Sequence, residues 1–262
     1  MLGPRRAAAA HGAGAGREAR VSDDLDADAR LVAGKPAPSE RTRLTPTIVV
    51  DAAIAFIDER GLAELTMRRL GQELGVEAMA LYRHVVGREE LLDAIVVRVM
   101  AEMEDDDDVP AEPDAGWQDF LHRLAHGVRR VALRHPKVFP LVVSRPPEAP
   151  WLRPPLRDLR WVEVFLNSLL EEGFDRERTV AAYRAFTSFL LGHLLLEVSA
   201  MGADVGPLDV LEDDSDPPRS ALAPYPRVEE MRGDLSEDHS APEFDESLEN
   251  LLDRIARLRS EQ

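Results

Sequence analysis

Thr66 to Val85 reads Thr-Met-Arg-Arg-Leu-Gly-Gln-Glu-Leu-Gly-Val-Glu-Ala-Met-Ala-Leu-Tyr-Arg-His-Val, two short helical segments on either side of a glycine. Thr66 is placed to cap the first segment, whose Met67, Leu70 and Leu74 share one face. Gly75 follows the last apolar residue, where helices commonly end in a left-handed backbone conformation, and Val76 is positioned to plug the gap to the second segment. There Leu81 points inward, and Ala78, Met79, Ala80, Tyr82, Arg83 and His84 are left outside. Such an exterior predicts a docking face. In a helix-turn-helix the second helix enters the DNA major groove, and short side chains near its start let the backbone approach the bases. Glycine-joined helix pairs also occur in ordinary helical proteins, so the spacing alone leaves both readings open.

The flanks favour the first reading. Leu44-Thr45-Pro46 starts a helix with a capping threonine and a proline in the first turn, and Ile48, Ala52, Ala55 and Phe56 fall on one face until Gly61 ends it. A third helix thus braces the pair. Arg41 and Arg43 form a short basic arm ahead of it, and Arg88 opens the helix that follows, so cations sit where phosphates would lie.

The 262 residues hold 32 Lys and Arg against 49 Asp and Glu, a formal charge of −17. That excess is not evenly spread. Residues 1–40 carry 6 basic and 6 acidic side chains, residues 41–100 carry 8 and 9, and residues 101–262 carry 18 and 34. The acidity lies away from the helix pair, where it serves solubility or repels DNA from the wrong face. Cysteine is absent, which excludes disulfides and thiolate metal sites. With no Gly-rich phosphate loop, no closely spaced His-Glu metal pattern and no cysteine nucleophile, no catalytic residues are assigned and an enzyme is not expected. No run approaches the length of a membrane span, and the basic, alanine-rich start lacks the hydrophobic core of a signal peptide. A soluble cytoplasmic chain with no membrane partner is predicted.

Residues 1–40, rich in Gly, Ala and Arg without periodicity, are expected to be a disordered arm. Residues 41–104 form the helix-turn-helix domain, and residues 105–262 a second helical domain. Asp105 to Asp108, followed by Pro110 and Pro113, mark an unstructured acidic linker between them. Beyond it the periodicity predicts helices over Asp114–Arg134, a short one to Val143, one over Leu156–Leu170, and a long one over Asp175–Ala200 that is apolar nearly all round. A helix of that kind needs burial on more than one side, and a partner subunit is the economical source. The last helix, Pro242–Arg259, carries Phe244, Leu248, Leu251, Leu252, Ile255 and Leu258 and would supply the rest of that contact. Residues 202–242, dominated by Gly, Pro and acids, are expected to be a flexible loop with one short helix near Val228 to Arg232.

The segments Leu65 to Val76 and Leu81 to His84, with Leu91 to Ala94 after them, closely resemble the N-terminal domain of the TetR family of transcriptional regulators. Trp117 to Leu121, Leu133 to Pro136 and Phe189 to Gly192 extend the resemblance into the C-terminal domain of its tetracycline-repressor branch. The resemblance implies an all-α fold: a three-helix DNA-binding domain followed by a helical ligand-binding and dimerisation domain. It implies a homodimer through the Asp175–Ala200 and Pro242–Arg259 helices, binding palindromic double-stranded operator DNA. Repression relieved by a small-molecule effector is the family's usual mode; an activator of the same family or a helical interaction protein are the alternatives.

By the same resemblance Arg68 would contact a base, with Ala78, Met79 and Ala80 over base edges and Tyr82, Arg83, His84 and Arg88 on phosphates. Arg43, Thr66 and Met67 complete the expected DNA surface. Ala80 stands where family members often carry a polar residue, and His84 reads equally as a residue of the small core. The candidate effector lining is Phe120, Leu124, Val128, Trp151, Trp161, Phe165, Phe186, Phe189 and His193, each of which reads equally as ordinary core. Glu104 and the Phe139/Leu141 neighbourhood stand where the tetracycline repressors use histidines to hold a chelated magnesium. A metal-free, apolar effector and no cofactor are therefore expected.

Overall fold

Thr45 opens the first helix as its chemistry allows. Its Oγ1 accepts a hydrogen bond from the Ile48 N–H at 3.2 Å, and Pro46 occupies the first turn, where no backbone donor is needed. In the computed structural model, which describes residues 44–206 and 222–260, this helix α1 runs over Pro46–Arg60. It turns Val49, Val50, Ala53, Ile54, Phe56 and Ile57 into the core, while Ala55, assigned to the inner face by the sequence reading, is exposed. A helix apolar almost all round carries no periodicity with which to choose a face, so packing against its neighbours chooses.

Helices α2 (Met67–Glu73), α3 (Ala78–Leu81) and α4 (Arg88–Met100) follow, then α5 (Trp117–Arg134), α6 (Phe139–Ser144), α7 (Leu159–Glu171) and α8 (Arg176–Ala200). The last two are α9 (Pro226–Ser236) and α10 (Ser240–Ser260). The described residues form no β-sheet, and the fold is all-α as expected. From Leu44 onward they make one compact unit with a continuous core. Phe165 is fully buried in it, its ring 5.3 Å from Phe186 and 5.6 Å from Tyr183.

Three expectations change. The Asp105 to Asp108 segment is docked on α5 rather than loose: Asp106 accepts from Arg130 Nε at 2.7 Å, and Arg123 Nε donates to the Asp108 carbonyl at 2.6 Å. Val109 is buried beside Gly127, where a Cβ would lie 2.3 Å from Val109 Cγ2. An acidic run looks solvated in sequence because its cations lie 15 and 24 residues further on.

Residues 202–242 hold more helix than the one short piece expected near Val228 to Arg232: α9 contains that piece and extends it on both sides, and the start of α10 falls within them too. Pro226 opens α9 as a first-turn residue instead of breaking a helix. Residues 207–221, like the arm of residues 1–40 and Arg41 and Arg43, lie outside the described residues.

The apolar stripe of α10, assigned to a partner subunit, is largely used within the chain. Phe244, Leu248, Leu252 and Ile255 are buried against α5 and α8. Helix α8 is long and apolar enough to cross a membrane, yet its Ala182, Phe186, Leu190 and Leu194 are fully buried inside the protein. On its other side Ala181, Ala185, Ser188, Gly192, Leu196 and Ser199 are exposed, Leu196 by 76%.

Candidate functional site

The α2–α3 pair is built from two close approaches. Thr66 Oγ1 accepts from the Arg69 N–H at 3.2 Å and fixes the start of α2. Gly75, at φ +65°, adopts the left-handed conformation that ends the helix, and the Val76 N–H donates to the Gly71 carbonyl at 2.9 Å. Gly71 lets α3 come this near: a Cβ there would lie 2.9 Å from the Val76 carbonyl oxygen and 3.3 Å from the Ala78 nitrogen. Leu70 and Leu81 are both fully buried, and α2 packs on α1 as well as on α3.

What remains outside is a mixed cationic and apolar face. Met79 is 74% exposed and Tyr82 45% exposed, beside exposed Arg83 and half-buried Ala78, Ala80 and His84. Arg68 on α2 is exposed too, and neither it nor Arg83 makes an ion pair with any described residue. Their neighbours are committed. Arg69 pairs with Glu64 at 2.9 Å, and Arg88 Nε donates to the Leu65 carbonyl at 3.4 Å. Thr66 is exposed but its hydroxyl serves the cap, and Met67 turns into the core, off the surface where the sequence reading had put it. Arg43 lies outside the described residues.

The helix-turn-helix is tied to the rest of the chain through α4 and α1. Arg145, at the end of α6, grips α4 through Glu89 at 2.5 Å and Asp93 at 2.7 Å. His135, at the end of α5, bridges Asp58 of α1 at 2.6 Å and Glu102 at 3.2 Å.

Against α4 lies a cavity of about 380 Å³, walled by Val96, Val97, Met100, Leu156 and Trp161 with Arg145 and Arg157 at its polar side. A smaller hollow of about 220 Å³ shares Glu104 and Trp161 with it, and the Glu104–Arg160 ion pair stands between α7 and the end of α4. Of the nine residues nominated from sequence, Trp161 lines this cavity. Phe120, Leu124, Val128, Phe165 and Phe186 are fully buried in closed core. Phe189 and His193 pack on Phe244, with the His193 Nε2–H donating to the Ser240 carbonyl at 3.1 Å. Trp151 is 68% exposed, carried to the surface by its loop and away from the cavity beside α4. Among the described residues no three His, Asp or Glu side chains converge to hold a metal ion.

Residues 49–95 match the family model for bacterial regulatory proteins of the tetR family, and residues 109–258 match that for the tetracyclin repressor-like C-terminal domain. The chain belongs to the TetR family. It is 34% identical over 153 residues to the class D tetracycline repressor protein of Escherichia coli, a match covering 58% of this chain and 66% of that repressor, just under two thirds. Among solved structures it resembles a possible TetR family transcriptional regulator from Streptomyces coelicolor A3(2), with 27% identity, a TM-score of 0.63, and coverage of 82% of this chain and 100% of that one. It also resembles the TetR family protein ActR from Streptomyces coelicolor, solved in complex with (S)-DNPA, with 26% identity, a TM-score of 0.57, and coverage of 82% and 98%.

Within this TetR-family chain the residues missed from sequence are those of the cavity wall. Val96, Val97 and Met100 belong to α4, which the sequence reading gave wholly to the DNA-binding domain, and Arg157 lies in the loop before α7, where the sequence reading had expected the helix from Leu156 to Leu170. Val97 is 71% exposed on α4, whose Leu91, Leu92, Ile95, Val96 and Val99 are buried, and only that fold-level exposure sets it apart from the other apolar residues of the helix.

Proposed function

We propose that this chain is a DNA-binding transcriptional regulator, a repressor that holds a palindromic operator as a homodimer and is released by a small effector bound without a metal. The observation that carries the reading is the exposed helix-turn-helix face, where Arg68, Met79, Tyr82 and Arg83 stand together and the two arginines have no described carboxylate partner. Unpaired cations beside an apolar, aromatic surface suit phosphates and base edges. Two such faces about 34 Å apart would meet successive major grooves, which a single copy does not reach. The open face of α8, from Ala181 to Ser199, offers the contact for a second copy. An effector site in the cavity beside α4 accords with the naming of the relatives as tetracycline repressors and with ActR solved with (S)-DNPA. Such a regulator acts in the cytoplasm.

A gel shift against the DNA upstream of the chain's own gene tests this. The wild-type chain should retard that fragment and Arg68→Ala should weaken the shift, with Tyr82→Phe losing the phosphate contact of the hydroxyl. A wild-type chain that retards no genomic fragment at low salt would overturn the proposal. Deleting the gene should raise transcription of the bound operon; a fall would mark an activator instead.

A further inference from the structure

Arg157 is a cation whose needs the fold leaves unmet. Its Nη1 donates to the Val142 carbonyl at 2.9 Å and its Nη2 to the Pro146 carbonyl, but its Nε is buried with no acceptor. It forms no ion pair with a described residue, and burial pushes its guanidinium down from the ordinary arginine range. Carbonyl dipoles solvate a guanidinium without neutralising it, and Asp93 and Glu148 act on it only from beyond ion-pair distance, so the desolvated charge has no carboxylate in contact.

Each carboxylate around it has a hydrogen-bond partner of its own. Asp93 accepts from Arg145 at 2.7 Å and Glu104 pairs with Arg160. Asp158 accepts from the Arg160 N–H at 2.6 Å, and Glu148 accepts from the Leu159 N–H at 3.2 Å. Asp93, Glu104 and Asp158 each face an arginine, and Glu148 alone of the four makes no ion pair with a described residue, so a cationic ligand would meet Arg157 and Arg145 with one uncommitted acid to hold it. An anion would supply the missing partner, and the apolar wall beside it asks for a body that is not itself charged.

We propose that the cavity of about 380 Å³ takes an amphipathic organic acid, its anionic group on Arg157 and its apolar body against Val96, Met100, Leu156 and Trp161. This rests on the effector reading above and names the chemical class of that ligand. The volume suits a molecule of two or three fused rings or an equivalent chain. A planar guanidinium donates two parallel hydrogen bonds to such a group, which a neutral isostere forgoes.

The test compares two fluorescent probes of nearly one shape, anilinonaphthalene sulfonate and the uncharged N-phenylnaphthylamine, titrated into the full chain with no DNA present. The anionic probe should bind about tenfold tighter or more than the neutral one, the range of a charge-assisted hydrogen bond. Arg157→Gln should bring the two affinities together by weakening only the anion, Arg157→Lys should keep part of the preference, and Met100→Trp should expel both probes by filling the cavity. Equal affinity of the wild-type chain for the two probes would overturn the proposal. So would a preference that survives Arg157→Gln, or probe binding unchanged by Met100→Trp, which would place the probes elsewhere. Should Arg157→Gln fail to fold, the wild-type comparison and the Lys and Trp variants still decide. Because no DNA enters the assay, loss of anion preference and loss of operator binding are separate results.

Discussion

Arg129 and Glu197 meet inside the helical core in a two-pronged ion pair, Nε to Oε2 at 3.0 Å and Nη2 to Oε1 at 2.5 Å. The pair joins α5 to α8, and the Arg129 guanidinium also lies 5.1 Å over the Phe244 ring of α10, so three helices share one charge. Its hydrogen bond to Glu197 holds the guanidinium above the ordinary arginine range. With Glu197 only 7% exposed, removing one partner strands the other in low dielectric. Glu197→Leu should therefore cost about 3–5 kcal/mol of unfolding free energy in urea. Arg129→Met combined with Glu197→Leu should cost less than the two single losses together, and strict additivity would show that the pair is not coupled.

His135 is a cation by its geometry. Its Nδ1 lies 2.6 Å from Asp58 and its Nε2 3.2 Å from Glu102, and an imidazole donates from both nitrogens only when protonated. The Asp58 hydrogen bond chiefly raises its pKa, against the opposing effect of burial. A raised histidine contributes stability that is complete below roughly pH 6.5 and is lost as pH climbs through the folded value. Urea midpoints of the wild-type chain should fall from pH 6 to above the raised value, and His135→Asn should flatten that part of the profile. An unchanged slope in the variant would remove His135 as its source.

Gly127→Ala should loosen the acidic linker from α5. The added methyl would sit 2.3 Å from Val109 Cγ2, and a buried β-branched side chain is restricted in the rotamers it can turn to. Overpacking of about 1–3 kcal/mol outweighs the alanine's helix-propensity gain of up to about 1 kcal/mol. The double variant Gly127→Ala, Val109→Ala should regain part of the loss, as read by thermal unfolding of the two side by side.

Arg68 and Arg83, neither of which pairs with a described residue, should act differently on DNA. Arg68→Ala should cost about 1–3 kcal/mol and relax selectivity at one operator position, as loss of a base contact does. Arg83→Ala should weaken operator and unrelated DNA alike and lower the slope of log affinity against log salt by about one. Fluorescence anisotropy over a salt series separates them. Identical salt slopes for wild type and Arg83→Ala would take Arg83 off the phosphate backbone.

Local patterns carried the architecture. Thr45 and Thr66 cap, Gly75 turns and Leu70 and Leu81 close, each through neighbours within a few residues, so the helix-turn-helix is legible in one line of sequence. The strong one-sided stripe of α5 names its buried residues for the same reason. What depends on distant partners was invisible there. Nothing near Asp106 tells that Arg130 will dock it, nothing in α1 selects Val49 over Ile48 for the inner face, and nothing in α10 tells that Phe244 packs within its own chain. The cavity is the clearest case. Trp161 could be nominated by its type alone, but Arg157 and Val97 lie 60 residues apart in sequence and become one wall because α4 and the loop before α7 fold against each other. A hollow and the unmet charge on its wall are properties of the space between elements, and that space exists only once tertiary packing has set it.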